Sequence, residues 1–477
     1  MRPYKWVVTI ISAFLMFFNR YIPPVMGLNE TGMAVLCIFI GTMAMLLTVD
    51  LCWPFILCVL AYVDNGVYTL SEALSNSLGN SVFWFVAFSG LLITAMDDSG
   101  VIKRIACWFL TRPYNKGHPW RFICSLFFAT MIIGSFMDPT ALIILLIALV
   151  EEILHILGLK RGSRFGELIM LGVLVFVGLS YGITPIGHPV PVMMISMFGE
   201  IEPVSFLEYS IVGYAVSIIY FIFVILLMRF VFRLDVSVLK QFDPSVLSDI
   251  NKLLDKKGKI TCVVYVVVII LWMLPNFVQN LLPGVYSKLN EWGTISPLFI
   301  GIIALNLIQV NGKPIMNFGS RIKDIPWQAC MPCASALLIG GSLSHADAGI
   351  TDALANYLGP LLQGVGPHAF VIVICLFCTI LTNFSSDMVT AVLGATISLT
   401  LIESGIVQGV NITGLCVAIG ICASCAYATP PGAAYASIIA GHGWVRVREQ
   451  LLEGGLCAIV ASLSSSLVGY NLACMLY

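Results

Sequence analysis

The chain has 477 residues, of which 59% are hydrophobic and only 10% are Asp, Glu, Lys or Arg. A soluble domain carries about 25% charged residues, so a water-facing protein is excluded. So is a nucleic-acid binder, because 24 Lys+Arg against 25 Asp+Glu leaves no basic excess to neutralise phosphates. Chains this apolar do not stay disordered in water, and the composition defines an all-α polytopic membrane protein.

In chain order, the apolar run at 6–18 follows Arg2 and Lys5 and closes at Asn19-Arg20 with no small-x-small cleavage site, so it reads as a retained first helix. Further apolar segments lie at 31–49, 51–63, 82–97, 120–136, 139–157, 165–198 and 206–233. The stretch Arg233–Lys259 is polar, with apolar residues spaced as in an amphipathic helix lying on a membrane surface, and serves as the linker between halves. Beyond it come 260–282, 294–309, 328–344, 367–382, 388–403, 411–441 and 449–476. Trp6, Trp53, Trp120, Trp292, Trp327 and Trp444 fall at segment ends, as an interfacial aromatic belt requires. The 15 Cys are scattered, and the pairs Cys330/Cys333 and Cys422/Cys425 sit in apolar runs without a nearby His, so they read as small packing residues.

Basic residues resist translocation and mark the cytoplasmic side. All but Arg20 and Lys288 fall into seven clusters, and none lies between Lys323 and Arg446. With every cluster inside, the pair 120–136/139–157 enters and leaves from the cytoplasm, and the pair 367–382/388–403 from the outside. Each pair is two spans or a re-entrant hairpin.

The halves echo one another. Gly90-Leu-Leu-Ile with Asp98-Ser-Gly matches Ala336-Leu-Leu-Ile with Asp347-Ala-Gly. Ser135-Phe-Met-Asp138-Pro-Thr140 matches Phe384-Ser385-Ser-Asp387-Met-Val-Thr390, and Thr184-Pro-Ile-Gly187-His188-Pro189 matches Thr429-Pro430-Pro-Gly432. Their opposite charge-derived orientation predicts an inverted-topology repeat, the plan of secondary transporters with a midplane site. The expected organisation is scaffold helices at 1–70; a first repeat at 71–233 (hairpin 120–157, broken helix 165–198); a linker at 234–259; scaffold helices at 260–320; and a second repeat at 321–477 (hairpin 367–403, broken helix 411–441).

Asp138 and Asp387 are the residues that carry most information. A carboxylate at membrane depth costs several kcal/mol unless paired, protonated or facing a wet cavity. Both lie at helix breaks, where freed carbonyls suit hard cations and helix N-termini favour anions. His188, inside a further break, offers a donor to a carboxylate or a titrating group. No GxxxxGK[ST] signature argues for a primary pump.

At these residues the chain resembles the divalent anion/sodium symporter family of the ion transporter superfamily, in order over about 30–475. The resemblance implies about eleven spanning helices, two opposed re-entrant hairpins, a homodimer, and a transport domain moving across a fixed scaffold. It implies Na⁺ ligands at Ser135, Asp138 and the Gly187 backbone in one half, and at Thr382, Ser385, Asp387 and the Ala428 backbone in the other. Substrate carboxylates would meet Asp138, Thr140, His188, Pro189, Asp387, Thr429 and Pro430. The family's Ser-Asn-Thr tips have become Met137-Asp138-Pro139 and Ser386-Asp387-Met388 here. An ionised Asp repels an anion by about 4 kcal/mol at 4 Å and an effective dielectric near 20. Protonated carboxyls, cations bridging them to substrate, or a different substrate would resolve this.

The expected function is a Na⁺- or H⁺-coupled secondary transporter of small organic anions, such as di- or tricarboxylates, without an organic cofactor. It would lie among lipid in the plasma or inner membrane, N-terminus cytoplasmic and C-terminus outside. The alternatives are a Na⁺/H⁺ antiporter or an inorganic oxyanion transporter of the same superfamily. A remote one is an intramembrane aspartyl protease, against which stands the lack of a Gly-x-Gly-Asp motif.

Overall fold

Proline and short polar side chains punctuate the apolar runs and set where each helix begins. The computed structural model describes all residues except 1–2, 26, 187, 200, 241, 245–254, 279–280, 294, 344–348, 350–352, 354–355, 357–359 and 361–363. The helices in order are α1 Pro3–Phe17, α2 Glu30–Thr48, α3 Pro54–Asp64, α4 Leu70–Asn76, α5 Ser81–Asp98, α6 Val101–Leu110, α7 Pro119–Gly134, α8 Pro139–Ile156, α9 Arg164–Tyr181 and α10 Pro189–Phe198. There follow α11 Phe206–Val231, α12 Lys256–Val278, α13 Pro283–Trp292, α14 Ser296–Leu307, α15 Trp327–Leu343, α16 Pro367–Thr382, α17 Asp387–Glu403, α18 Ile412–Ser424, α19 Ala434–His442 and α20 Val447–Leu476. Strand structure among the described residues is a two-residue pair, Gln309–Val310 with Lys313–Pro314. Asn311 and Gly312 both take positive φ at its turn, which an Asn-Gly hairpin provides.

Local chemistry explains the boundaries. Ser205 and Glu208 form a reciprocal capping box at the start of α11, and Thr69 and Glu72 do the same for α4. Asn29, Ser163 and Asn411 cap α2, α9 and α18. Proline occupies the first turn of α3, α7, α8, α10, α14 and α16, where its missing N–H would be unsatisfied anyway.

Among the described residues, five helices are individually long and apolar enough to cross a membrane, α8, α9, α11, α12 and α20, and α4 with α5 forms a sixth candidate bent by 48°. The remaining apolar helices have 10–17 residues, because breaks divide the runs. The fold is that of an all-α polytopic membrane protein. The segments α4, α6 and α13 add short helices that the hydropathy reading passes over. The middle of the linker expected at 234–259, residues 241 and 245–254, lies outside the described residues; Ser237–Leu239 forms one 3₁₀ turn, and Lys256–Lys259 already belong to α12. Asp347, in the motif matched to Asp98, also lies outside them.

Two packing groups emerge. Helices α1–α5 pack with α12–α15, and α7–α11 pack with α16–α20, while α6 lies between the groups, packed mainly on α7. The second group is centred on α9 and α18, which are buried on every side from Phe165 to Ser180 and from Ile412 to Ser424. A helix apolar all round belongs in such an interior. In contrast α11 and α12 turn Ile218, Ile222, Val263, Val266 and Ile270 outward, as lipid-facing helices do. At one edge of this group, buried Glu167 accepts from the Arg446 backbone N–H and guanidinium, and Arg164 pairs with Glu167 and Glu453, so the two sequence halves are clasped together. Trp444 departs from the expected aromatic belt: it is buried and donates its indole N–H to Glu151 at 2.6 Å.

Glycines allow the second group's closest approaches. A Cβ at Gly182 would stand 2.8 Å from the Ile421 Cα, and one at Gly213 would meet the Ile183 carbonyl. Both obstacles are backbone, so neither can step aside. Gly182→Ala and Gly213→Ala should each destabilise the protein by about 1–3 kcal/mol, seen as a lower unfolding temperature in detergent. Gly284→Ala, with open space around it, should be silent; equal shifts in all three would contradict this packing.

Candidate functional site

The site grows from two short helix-to-helix turns and two unwound segments. The first turn, Ser135–Asp138, joins α7 to α8; the second, Asn383–Ser386, joins α16 to α17. Tyr181, at the end of α9, leads into the first unwound stretch before α10, and Cys425–Ala433 separates α18 from α19. Free carbonyls and amides in an apolar interior must find partners, and the chain supplies them from nearby side chains.

The same bond recurs in both halves. Thr184 Oγ1 donates to the Ser135 carbonyl at 2.5 Å, and Thr429 Oγ1 donates to the Asn383 carbonyl. Each threonine precedes a proline in its unwound segment, and each carbonyl belongs to the tip in the same half. The first break also meets the helices that flank the second. Gly182 lies against Ile421 and Ser424, and the Tyr181 ring packs on His188 and, at 6.1 Å between centroids, on Tyr435. Tyr435 in turn donates to the Ser424 carbonyl at 2.9 Å.

At the first tip Asp138 caps α8, accepting from the N–H groups of Thr140 at 2.9 Å and Ala141 at 3.1 Å. A helix N-terminus favours the negative form of such a group. Ser135 Oγ shares a 2.7 Å hydrogen bond with the Tyr214 hydroxyl, and Tyr265 donates to the Phe136 carbonyl at 2.6 Å. His188 is buried at the start of α10, where its Nδ1 accepts from the Val190 N–H at 3.2 Å. That occupies Nδ1 as acceptor and leaves the ring hydrogen on Nε2, which is buried and has no partner among the described residues. Pro189 is the first residue of α10. Gly187 lies outside the described residues.

The second tip is more deeply buried. Thr382 Oγ1 stands 3.1 Å from Asp387 Oδ1 and 2.5 Å from the Ala423 carbonyl. A hydroxyl has one hydrogen, so it satisfies both oxygens only when Asp387 carries a proton of its own, and otherwise one close oxygen pair is left for a cation to bridge. Ser385 Oγ is buried without a partner among the described residues. The Ala428 N–H donates to Asn383 Oδ1 at 2.7 Å, and Ser437 donates to the Pro430 carbonyl at 2.6 Å.

Of the residues predicted from sequence, Thr382 and Asp387 are in direct contact, Ala428 and Thr429 join the same tip through Asn383, and Ser135 is tied to the first unwound segment. Asp138, Thr140, His188, Pro189, Ser385 and Pro430 flank these bonds. Asn383 was not among them, yet it holds the second tip together: Nδ2 donates to the carbonyls of Thr379 at 2.7 Å and Cys425 at 3.1 Å while Oδ1 accepts from Ala428. Its sequence signal is an amide beside Thr382 in an otherwise apolar run. Tyr214, Tyr265 and Tyr435 carry no such signal.

The chain belongs to the citrate transporter family, whose sequence profile matches residues 34–421. It is a multi-pass membrane transporter of the organic-anion class, not an enzyme, and the resemblance carried by the tips and breaks is borne out. The chain is 26% identical over 447 residues to the sodium-dependent dicarboxylate transporter SdcS of Staphylococcus saprophyticus, covering 88% of this chain and 80% of that one. It is 22% identical to an uncharacterised transporter of Haemophilus influenzae, over 97% of this chain and 96% of that protein. It is also 22% identical to one of Methanocaldococcus jannaschii, over 96% and 91%.

Asn383→Ala would strand the Cys425 carbonyl and the Ala428 N–H, at about 1–3 kcal/mol for each buried group left unpaired. Its unfolding temperature should fall well below that of Ser437→Ala, which removes an exposed hydroxyl. Equal stability of the two variants would show that the amide does not hold the tip.

Proposed function

We propose that the protein is a cation-coupled secondary transporter of small di- or tricarboxylates, with Na⁺ as the coupling ion. The observation that carries this reading is the same pairing of unlike chemistries in each tip-and-break unit: a carboxylate at a helix start, Asp138 or Asp387, and in the same unit a buried donor without a partner among the described residues, the Nε2–H of His188 or the hydroxyl of Ser385. A dicarboxylate needs such donors, and its charge needs cations to sit between it and the Asp side chains.

In this reading one Na⁺ is held by Asp138 with Ser135 and the Gly187 backbone, the other by Asp387, Thr382, Ser385 and the Ala428 backbone. Substrate carboxylates then meet His188, Pro189, Thr140, Thr429 and Pro430, and are bridged through the cations to Asp138 and Asp387. The second tip, where one hydroxyl faces two oxygens, is where a cation has most to neutralise. The sodium dependence and dicarboxylate named for the staphylococcal relative support the same choice. Arms of 16 residues in α7 and α16 reach about 24 Å, short of a hydrocarbon core near 30 Å, which favours re-entrant hairpins. The recurring Thr-to-tip bond supports an inverted repeat. The second packing group then carries the site across the membrane against the first, in a homodimer of the plasma or inner membrane with the N-terminus cytoplasmic and the C-terminus outside.

Proteoliposomes test this with labelled succinate and citrate under imposed Na⁺ and pH gradients. Uptake should follow the Na⁺ gradient and be lost in Asp387→Asn and Asp138→Asn. His188→Ala should raise the KM about tenfold or more, the worth of a hydrogen bond to a charged group. Uptake indifferent to both gradients would refute coupling. Cation-driven proton flux without organic anion would instead establish the antiporter.

A further inference from the structure

Most contacts between the two packing groups are apolar and without direction. Phe206 of α11 lies 5.8 Å from Phe85 of α5 and 5.9 Å from Trp272 of α12, centroid to centroid, while α10 packs on α5 and α17 on α15. Such surfaces slide past one another at little loss while area stays covered. The hydrogen bond from Tyr265 to the Phe136 carbonyl is of another kind. Tyr265 is buried on α12, which packs chiefly with α14, α13 and α5 of the first group. Phe136 is in the first tip, between Ser135 and Asp138, in the second group. At 2.6 Å the bond is short and directional, and it joins the scaffold to the backbone of the site itself.

We propose that the Tyr265 hydroxyl is a latch: it holds the site-bearing group in the position seen here and is released each time that group crosses. The inference rests on the reading that the second group moves against the first. Tyr214 supplies the internal contrast. It binds Ser135 in the same tip, but from α11, which belongs to the second group and travels with it. Its bond therefore persists through the movement while that of Tyr265 cannot. The second tip is held from within its own group, by Asn383, Thr382 and Thr429, so the latch acts on one tip and biases the protein toward one side. Tyr265 is a positioning residue: it touches a tip carbonyl and reaches substrate only through it.

Tyr265→Phe keeps the ring and removes the bond. A hydrogen bond of ordinary strength changes an equilibrium by about three- to tenfold. In hydrogen–deuterium exchange of the purified protein, peptides covering residues 131–140 should lose protection by that factor in Tyr265→Phe. In proteoliposomes, exchange of labelled for unlabelled succinate should change rate by a similar factor while half-saturation stays within about twofold. Tyr214→Phe should show the reverse, a weakened half-saturation with the exchange rate at saturation retained. Wild-type protection and wild-type exchange in Tyr265→Phe would overturn the latch. So would a loss of affinity matching that of Tyr214→Phe, which would place Tyr265 in the binding site. If the wild-type protein exchanged no organic anion, the functional reading would fail, and the deuterium comparison would still decide the latch.

Discussion

A carbonyl without a partner in hydrocarbon costs several kcal/mol, and this protein places two interrupted helices and two hairpin turns within an apolar interior. Everything around the site answers that constraint. Carbonyls of Ala423, Ser424, Cys425 and Tyr427, around the second break, each receive a side-chain donor, from Thr382, Tyr435, Asn383 and Gln450. At the first, Tyr209 serves Gly182 at 3.1 Å. The unwound segments are therefore not loose. They are held by hydroxyls and amides whose removal would leave buried groups exposed to nothing, and the site residues inherit their positions from that network.

The legible part of this in the sequence was the part written in rare residues. An Asp in an apolar run, a Thr-Pro pair or a lone His departs so far from lipid-compatible composition that position alone singles out Asp138, Asp387, Thr429 and His188 as candidates. The family follows from the same places. What the sequence conceals is chemistry carried by residues that are ordinary in membrane helices. A tyrosine is as much at home against lipid as inside a bundle, so Tyr214, Tyr265 and Tyr435 could not be told from packing residues. Trp444 misled for the same reason: a tryptophan at a segment end suits an interface, but here the segment folds back onto α8 and buries the ring beside Glu151. Helices α4, α6 and α13 were passed over because elements of 7, 10 and 10 residues need no long apolar run.

Repetition in sequence also proves to be incomplete in chemistry. The two Thr-to-carbonyl bonds match, but the side chains next to them do not. Asp138 takes two backbone N–H groups at the start of α8, an arrangement that rewards a negative charge and asks for no proton. Asp387 faces a hydroxyl whose single hydrogen is also claimed by the Ala423 carbonyl. Such a place rewards either a proton or a cation. The two aspartates thus meet different partners, backbone N–H groups at one tip and a shared hydroxyl at the other, so equal motifs need not mean equal roles.

That inequality bears on why both family asparagines have become aspartates. A neutral amide at a tip donates to a substrate carboxylate but adds nothing to the binding of a cation beyond its dipole. A carboxylate reverses both terms: it attracts the cation strongly at short range in a poorly screened site and repels the anion until the cation is present. In the proposed reading, substrate binding would be conditional on prior cation binding, more steeply than with Asn, because the empty site would be hostile to anions rather than merely weak. The His188 Nε2–H and Ser385 hydroxyl, neutral donors without partners among the described residues, would recover the orientation that the amides give. On that proposal the exchange would tighten coupling and leave these two donors for the anion.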